Sequence, residues 1–182
     1  MKSKIFLILF FGIFSLAAIP VRQAGSEKLS RYLDAGVFIG GHEQGPINLL
    51  NVRYNISAGL SAGSGAGHNA GDKVERLVFD VGGDKPEQSS GRPGFFHITV
   101  QKSPRRVVVD LEDIAQTRVT AEQLTKLIEK SPHLSKVKFY YDSRFKNLTI
   151  EMPLKVAAKI EVFELASVGK PGRIVLDLKG GP

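Results

Sequence analysis

From residue 47 onwards, apolar and polar side chains alternate with a period of two, which is the pattern of β-strands that bury one face. Short segments rich in glycine, proline, serine and asparagine interrupt this alternation, as turns and loops do. The alternating segments begin near residues 47, 74, 95, 106, 136, 147, 162 and 173. The sequence therefore predicts a mainly β protein.

One strand sequence occurs twice. Residues 106–111 read RVVVDL, and residues 173–178 read RIVLDL. In each copy the second, fourth and sixth side chains are apolar and point to one face, which we expect to lie in the core. The opposite face carries an arginine and, four positions later, an aspartate, and a third predicted strand repeats this spacing. The three pairs are Arg76 and Asp80, Arg106 and Asp110, and Arg173 and Asp177.

The whole strand pattern also runs twice through the chain. Residues 47–111 and residues 134–178 each predict four strands, and each half ends on the repeated Arg/Asp strand. Between them, residues 120–131 predict one helix, with Thr120 as its N-cap and Gln123 at the capping-box position. We therefore predict two symmetric four-stranded antiparallel sheets, one from each half, packed as a sandwich and connected by the helix.

The N-terminus has the anatomy of a secretory signal peptide. Two lysines are followed by an uncharged apolar run from residue 5 to residue 19, and small residues precede a cleavage point before Ala18. A spanning helix needs roughly 20 residues, which favours a cleaved signal peptide (1–17) over an uncleaved anchor. We expect an exported protein of the periplasm or cell envelope, with residues 18–46 as a spacer. Membrane contact is expected only through an uncleaved signal.

Composition and charge narrow the range of functions. The chain of 182 residues has no cysteine, which excludes disulfides, thiol catalysis and cysteine zinc sites. Its net charge of +7 is spread among acidic residues without a long basic run, which argues against nucleic acid as a partner. The histidine spacing does not match that of zinc ligands on a helix, and no catalytic constellation stands out. We expect a non-enzymatic protein without a metal or other cofactor.

The stretch from Pro104 to Leu111, the predicted helix and the second copy at residues 173–178 together resemble the AMIN domain, over roughly residues 47–179. This family occurs at the N-terminus of periplasmic N-acetylmuramoyl-L-alanine amidases and in pilus secretins. The resemblance implies a fold of two symmetric four-stranded sheets and a role in peptidoglycan binding. The chain departs from the family in a Gly/Ser-rich segment at residues 57–71 and a long loop at residues 82–94.

The repeated Arg/Asp positions are the candidate peptidoglycan ligands. Arginine is a two-point donor to carboxylates such as those of stem peptides. The aspartates would accept from sugar hydroxyls and amides, together with His97, Thr99, Asn147 and Thr149. The candidate residues are Arg76, Asp80, Arg106, Asp110, Arg173 and Asp177.

Two alternatives stay open. The Arg/Asp residues can instead form cross-strand salt bridges with a purely structural role. The expected function is a cell-wall binding module that localises or anchors an envelope complex. The alternative function is an adaptor subunit that binds secretion, pilus secretin or amidase proteins.

Overall fold

The computed structural model describes residues 21–23, 32–43, 45–58, 73–83, 91–167 and 169–180. Its elements are β1 (Val21–Gln23), β2 (Gly36–Gly40), β3 (Ile47–Ala58), β4 (Lys73–Gly82), β5 (Phe96–Lys102), β6 (Arg105–Leu111), β7 (Ile114–Thr117), α1 (Ala121–Leu127), β8 (Lys138–Asp142), β9 (Asn147–Pro153), β10 (Ala158–Leu165) and β11 (Gly172–Gly180). The predicted signal peptide and most of the predicted Gly/Ser-rich loop lie outside the described residues. The described part of the chain contains no helix with the length and hydrophobicity that crossing a bilayer requires.

The strands form two packed sheets. Sheet A has the order β1-β2-β5-β6-β9-β8, and sheet B has the order β10-β11-β4-β3-β7. The mainly β class, the packing of two sheets and the single described helix agree with the prediction. The predicted detail of two symmetric four-stranded antiparallel sheets is wrong. The described sheets have six and five strands, and the pairs β1/β2 and β3/β7 are parallel.

Each sheet takes one hairpin from each half of the chain. Sheet A combines β5 and β6 with β8 and β9, whereas sheet B combines β3 and β4 with β10 and β11. The assignment of one sheet to each half is therefore wrong, because the chain changes sheet within each half, after β4 in the first half and after β9 in the second. These crossings give β6 and β11 a hydrogen-bonded neighbour on both sides. Strand β2, from within the predicted spacer, extends sheet A by pairing with β5.

The two repeated strands occupy equivalent central positions. In sheet A, β6 pairs with β9 so that Asp110 lies opposite Thr149. In sheet B, β11 pairs with β4 so that Asp177 lies opposite Arg76. Both registers place the apolar side chains of the paired strands on the inner face. A slip of one residue would turn those apolar side chains towards solvent, which specifies the register strongly.

The inner faces of the two sheets meet in one hydrophobic core. All the apolar residues predicted to face inward in the repeated strands are at most 2% exposed. They are Val107, Val109, Leu111, Ile174, Leu176 and Leu178. Full burial of one such side chain contributes about 1.5–3 kcal/mol. The predicted core face of both copies is therefore confirmed.

Helix α1 has the predicted capping box. The Thr120 hydroxyl accepts a hydrogen bond from the Gln123 amide at 3.2 Å, and the Gln123 side chain accepts one from the Thr120 amide at 2.9 Å. The helix ends at Leu127, earlier than predicted, and a turn follows it. Leu124 and Ile128 anchor this segment in the core.

A close backbone approach at Gly172 provides a test of the fold. A Cβ atom at this position would lie 2.1 Å from the carbonyl carbon of Arg92 and 2.2 Å from the nitrogen of Pro93. We expect Gly172→Ala to lower the free energy of unfolding by about 1–3 kcal/mol, because the two backbone segments must separate. Gly180→Ala in the same strand is the control, since its Cβ would come no closer than 3.7 Å to the nearest atom, Nε2 of His133. Equal unfolding midpoints in denaturant would contradict the close approach.

Candidate binding face

The predicted ligand residues are divided between the outer faces of the two sheets. Arg106 and Asp110 project outward from β6 in sheet A. The other predicted residues, Arg76, Asp80, Arg173 and Asp177, project outward from β4 and β11 in sheet B. Each of the three aspartates bonds a residue of a neighbouring strand and not the arginine of its own strand.

Both predicted aspartates of sheet B are held in two-point ion pairs by arginines of neighbouring strands. Arg76 donates to both carboxylate oxygens of Asp177, at 2.7 and 2.6 Å. Arg53 donates to both carboxylate oxygens of Asp80, at 3.0 and 2.7 Å. The bond to Asp177 raises the pKa of Arg76. This arrangement is the one expected from the structural alternative, in which the Arg/Asp residues are cross-strand salt bridges.

Part of the outer face of sheet B is covered. Asp177 projects outward from β11 but is only 4% exposed. The backbone of Leu33 pairs with that of Ile160 at the outer edge of β10. The ring of Tyr32 then lies 4.1 Å from Nζ of Lys179. Burial, reinforced by the charge of Asp177, raises the pKa of Tyr32 to about 12.

A second buried carboxyl group lies beside Asp177. Glu161 on β10 lies opposite Asp177 on β11 and is 6% exposed. Its Oε1 atom has no hydrogen-bond partner. Loss of hydration raises the pKa of Glu161 above its ordinary value of 4.5, and the neighbouring charge of Asp177 raises it further. The fold therefore opposes the ionisation of Glu161.

The outer face of sheet A presents a row of polar and aromatic side chains. His97, Asp110, Thr149 and Tyr140 lie opposite one another on the successive strands β5, β6, β9 and β8. The Thr149 hydroxyl donates to Asp110 at 2.5 Å. At about 4.8 Å per strand, this row spans about 14 Å. We call the outward side chains His97, Thr99, Arg106, Asp110, Tyr140, Thr149 and Glu151 the sheet A face.

Arg106 makes a looser contact with a carboxylate than Arg76 does. Its Nε atom donates to Gln101 at 2.6 Å, and its Nη1 atom lies 3.4 Å from a carboxylate oxygen of Glu151. A guanidinium group has five N–H donors in a planar fork. The described contacts of Arg106 are single-point contacts, so further N–H groups of this half-buried side chain can reach a ligand.

A small cavity lies at one end of the sheet A face. It has a volume of about 170 Å³, and Phe95, Glu112 and Asp113 line it beside β5 and β6. His97 of the sheet A face lies 3.8 Å from Glu112, between their Nε2 and Oε1 atoms. The cavity therefore continues the polar surface beyond the ends of these two strands.

The most deeply buried polar cluster was not predicted from the sequence. Glu75 lies on the inner face of β4, is fully buried, and contacts Ser131 and His133 through their side chains. The Tyr54 hydroxyl also donates to Glu75, at 2.7 Å. Burial and this bond raise the pKa of Tyr54. The sequence does contain a signal for this cluster. Glu75 lies two positions before the core residue Leu77, so both side chains point to the same face of β4.

Comparison with other proteins adds no identification. The chain matches none of the known protein families against which it was compared, and it matches no curated protein. Within the described ranges, no three His, Cys, Asp or Glu side chains are grouped as metal ligands would be. The function must therefore be inferred from the geometry of the faces.

The buried cluster predicts a strong stability effect at His133. We expect His133→Leu to lower the free energy of unfolding by about 3 kcal/mol, because the buried Glu75 carboxylate loses a partner. The double change Glu75→Leu with His133→Leu should be more stable than His133→Leu alone, since it also removes the buried carboxyl group that has lost one of its partners. Unfolding in denaturant gives the free energy of unfolding of the parent, of His133→Leu and of the double variant. A double variant that is no more stable than the single one would contradict this role.

The raised pKa of Glu161 predicts that substitution of this residue stabilises the fold, in a way that depends on pH. Because its pKa is raised in the fold, the unfolded chain ionises first as the pH rises, and stability is lost from about pH 4 upwards. We therefore expect Glu161→Gln to become more stable than the parent as the pH rises towards 7, by on the order of 1 kcal/mol.

Glu122→Gln is the matched control for this measurement. Hydrogen bonds from the backbone at the helix start and from Thr120 lower the pKa of Glu122. This substitution should therefore remove stability near neutral pH, where the ionised carboxylate contributes. Thermal unfolding between pH 4 and pH 7 tests both variants. Parallel pH profiles for Glu161→Gln and the parent would contradict the assignment.

Proposed function

We propose that this chain is an exported, non-catalytic protein of the AMIN type that binds peptidoglycan through the sheet A face. In this role it localises or anchors an envelope complex at the cell wall. The observation that carries the proposal is the uncovered row of polar and aromatic side chains across β5, β6, β9 and β8. A flat polar surface of this kind suits an extended polymer with hydroxyl, amide and carboxylate groups.

The contrast between the two outer faces supports this choice. On sheet B, Arg53 and Arg76 are already held in two-point pairs, and Asp177 is buried. On sheet A, the Arg106 side chain is less exposed, at 32%, than those of Arg53 and Arg76, at 52% and 53%, but its contact with a carboxylate is a single-point one. The His97 side chain beside it is 46% exposed. At Arg106 a ligand therefore competes with a single-point contact to Glu151, and not with a two-point carboxylate pair.

Five side chains of the sheet A face have a defined part in the proposal. Arg106 donates to a stem-peptide carboxylate, because its remaining N–H groups suit a two-point acceptor. Asp110 and Thr149 accept from or donate to hydroxyl and amide groups of the wall polymer. The Tyr140 ring, which is 52% exposed, offers an apolar surface for the face of a sugar ring. His97 extends the polar row on the far side of Asp110.

Binding of the purified protein to isolated cell-wall sacculi tests the proposal. We expect the protein to sediment with sacculi at low and at moderate salt. Arg106→Ala should weaken binding about tenfold, because a charge-assisted hydrogen bond contributes about 1.5–3 kcal/mol. Arg53→Ala is the matched control, since it removes the same side chain from the outer face of sheet B.

Three outcomes would count against the proposal. Binding that disappears at moderate salt would reflect net charge alone. Equal loss for Arg106→Ala and Arg53→Ala would remove the assignment to sheet A. No sedimentation at low salt would favour the adaptor alternative, in which secretion, pilus secretin or amidase proteins are the partners.

A further inference from the structure

The β8–β9 hairpin exposes three aromatic side chains. Phe145 in its turn is 67% exposed, the highest value among the large apolar residues that the structure describes as exposed. Tyr140 and Tyr141 on β8 are 52% and 46% exposed. Tyr140 belongs to the sheet A face, and Tyr141 lies on the opposite side of β8, where its hydroxyl donates to the Ile114 carbonyl at 2.8 Å. Phe145 is therefore the one of these three rings that projects from the turn. We call the turn residues 143–146 the hairpin tip.

The hairpin tip is held in one conformation. The Arg144 amide and guanidinium both donate to the Asp142 carboxylate, at 2.9 and 3.0 Å. These bonds lower the pKa of Asp142. The Lys146 carbonyl accepts from the Ile114 amide at 2.7 Å, which ties the tip to the start of β7. Phe145 is therefore presented to solvent by a hydrogen-bonded turn, and it is not among the described residues that pack in or against the core.

Basic residues flank the exposed ring of the hairpin tip. Arg144 and Lys146 stand on either side of Phe145, and both are exposed. Lys136 and Lys138, also exposed, lie towards the other end of β8, where Lys138 is opposite Glu151. The Arg144 guanidinium lies 5.5 Å from the centre of the Phe145 ring. The acidic residue next to the hairpin tip, Asp142, is already paired with Arg144. The hairpin tip thus combines apolar aromatic surface with a net positive charge.

We propose that the hairpin tip docks on the surface of an anionic lipid bilayer. Aromatic side chains are favoured at the level of the lipid headgroups. Lysine and arginine side chains near a bilayer are attracted to anionic headgroups. A protein partner would need a preformed pocket for Phe145, whereas the interfacial region of a bilayer accommodates an isolated aromatic ring. The charge and the projecting ring together favour the bilayer.

This docking site is separate from the centre of the proposed wall-binding face. Arg106 lies on β6, which is separated from the β8 edge of the sheet by β9. The turn residues lie beyond the ends of β8 and β9, so a bilayer at the hairpin tip leaves Arg106 and Asp110 accessible. The protein can then hold a membrane and the wall polymer at the same time.

A tryptophan placed at the tip tests the proposal. The chain contains no tryptophan, so Phe145→Trp in the full chain gives a single fluorescent reporter whose signal is local to the hairpin. With vesicles of phosphatidylglycerol and phosphatidylcholine, we expect a blue shift of the emission and quenching by brominated acyl chains. Vesicles of phosphatidylcholine alone should give neither effect. Lys146→Asn, in the same reporter background, should weaken the response about fivefold, as expected for one charge near the surface.

Matched variants separate docking at the tip from other membrane contacts. Ile56→Trp places the reporter at an exposed apolar position on sheet B, and it should show no quenching. Lys73→Asn removes an exposed lysine of sheet B and should leave the Phe145→Trp response unchanged. Absence of quenching in Phe145→Trp, equal quenching in Ile56→Trp, or equal weakening by Lys73→Asn would each overturn the proposal. The proposal would also fail if an acidic protein shifted the emission of Phe145→Trp and vesicles did not.

Discussion

Both sheets depend on the seam at which a strand from one half of the chain pairs with a strand from the other half. These seams are β6 with β9 and β11 with β4. The apolar residues of all four strands reach the core only in the observed register, because side chains alternate between faces. The same register decides which polar residues become neighbours outside. Core packing and the chemistry of the outer faces are therefore set by one pairing.

The two seams give their outer faces different chemistry. At equivalent positions, Asp177 meets Arg76 on sheet B, whereas Asp110 meets Thr149 on sheet A. An aspartate opposite an arginine forms a closed ion pair, and an aspartate opposite a threonine keeps most of its acceptor capacity. The residue opposite the aspartate thus closes one copy of the repeat in an ion pair and leaves the aspartate of the other copy with free acceptor capacity. The burial of Asp177 strengthens this division.

The sequence predicted the strands and their inner faces well, because alternation is a local property. Val107, Val109 and their counterparts in β11 are buried as expected, and the capping box begins the helix where Thr120 placed it. The sequence pattern did not predict which strands become neighbours. Strands β6 and β9, for example, pair although they are far apart along the chain. That is why the six Arg/Asp residues were assigned to halves and not to the sheets that carry them.

The buried polar cluster was missed for a related reason. Glu75 is in phase with Leu77 and Phe79, so its position on the inner face could be read from the sequence. Its partners, Ser131 and His133, come from the segment that follows the helix, and only the folded chain brings them to Glu75. Buried carboxylates require such partners. An acidic residue in phase with the core therefore predicts a buried polar network, but the sequence does not show which residues form it.

The exchange of hairpins has a consequence for how such a chain could arise. A half consisting of β3 to β6 alone would leave β4 and β6 each without one of its two neighbours, in two different sheets. Two copies of such a half could supply the missing strands to each other, in the manner of a domain-swapped dimer with twofold symmetry. The segment containing α1 joins the two halves covalently. In these terms, the described fold has the topology of a swapped dimer whose two halves are tethered in one chain.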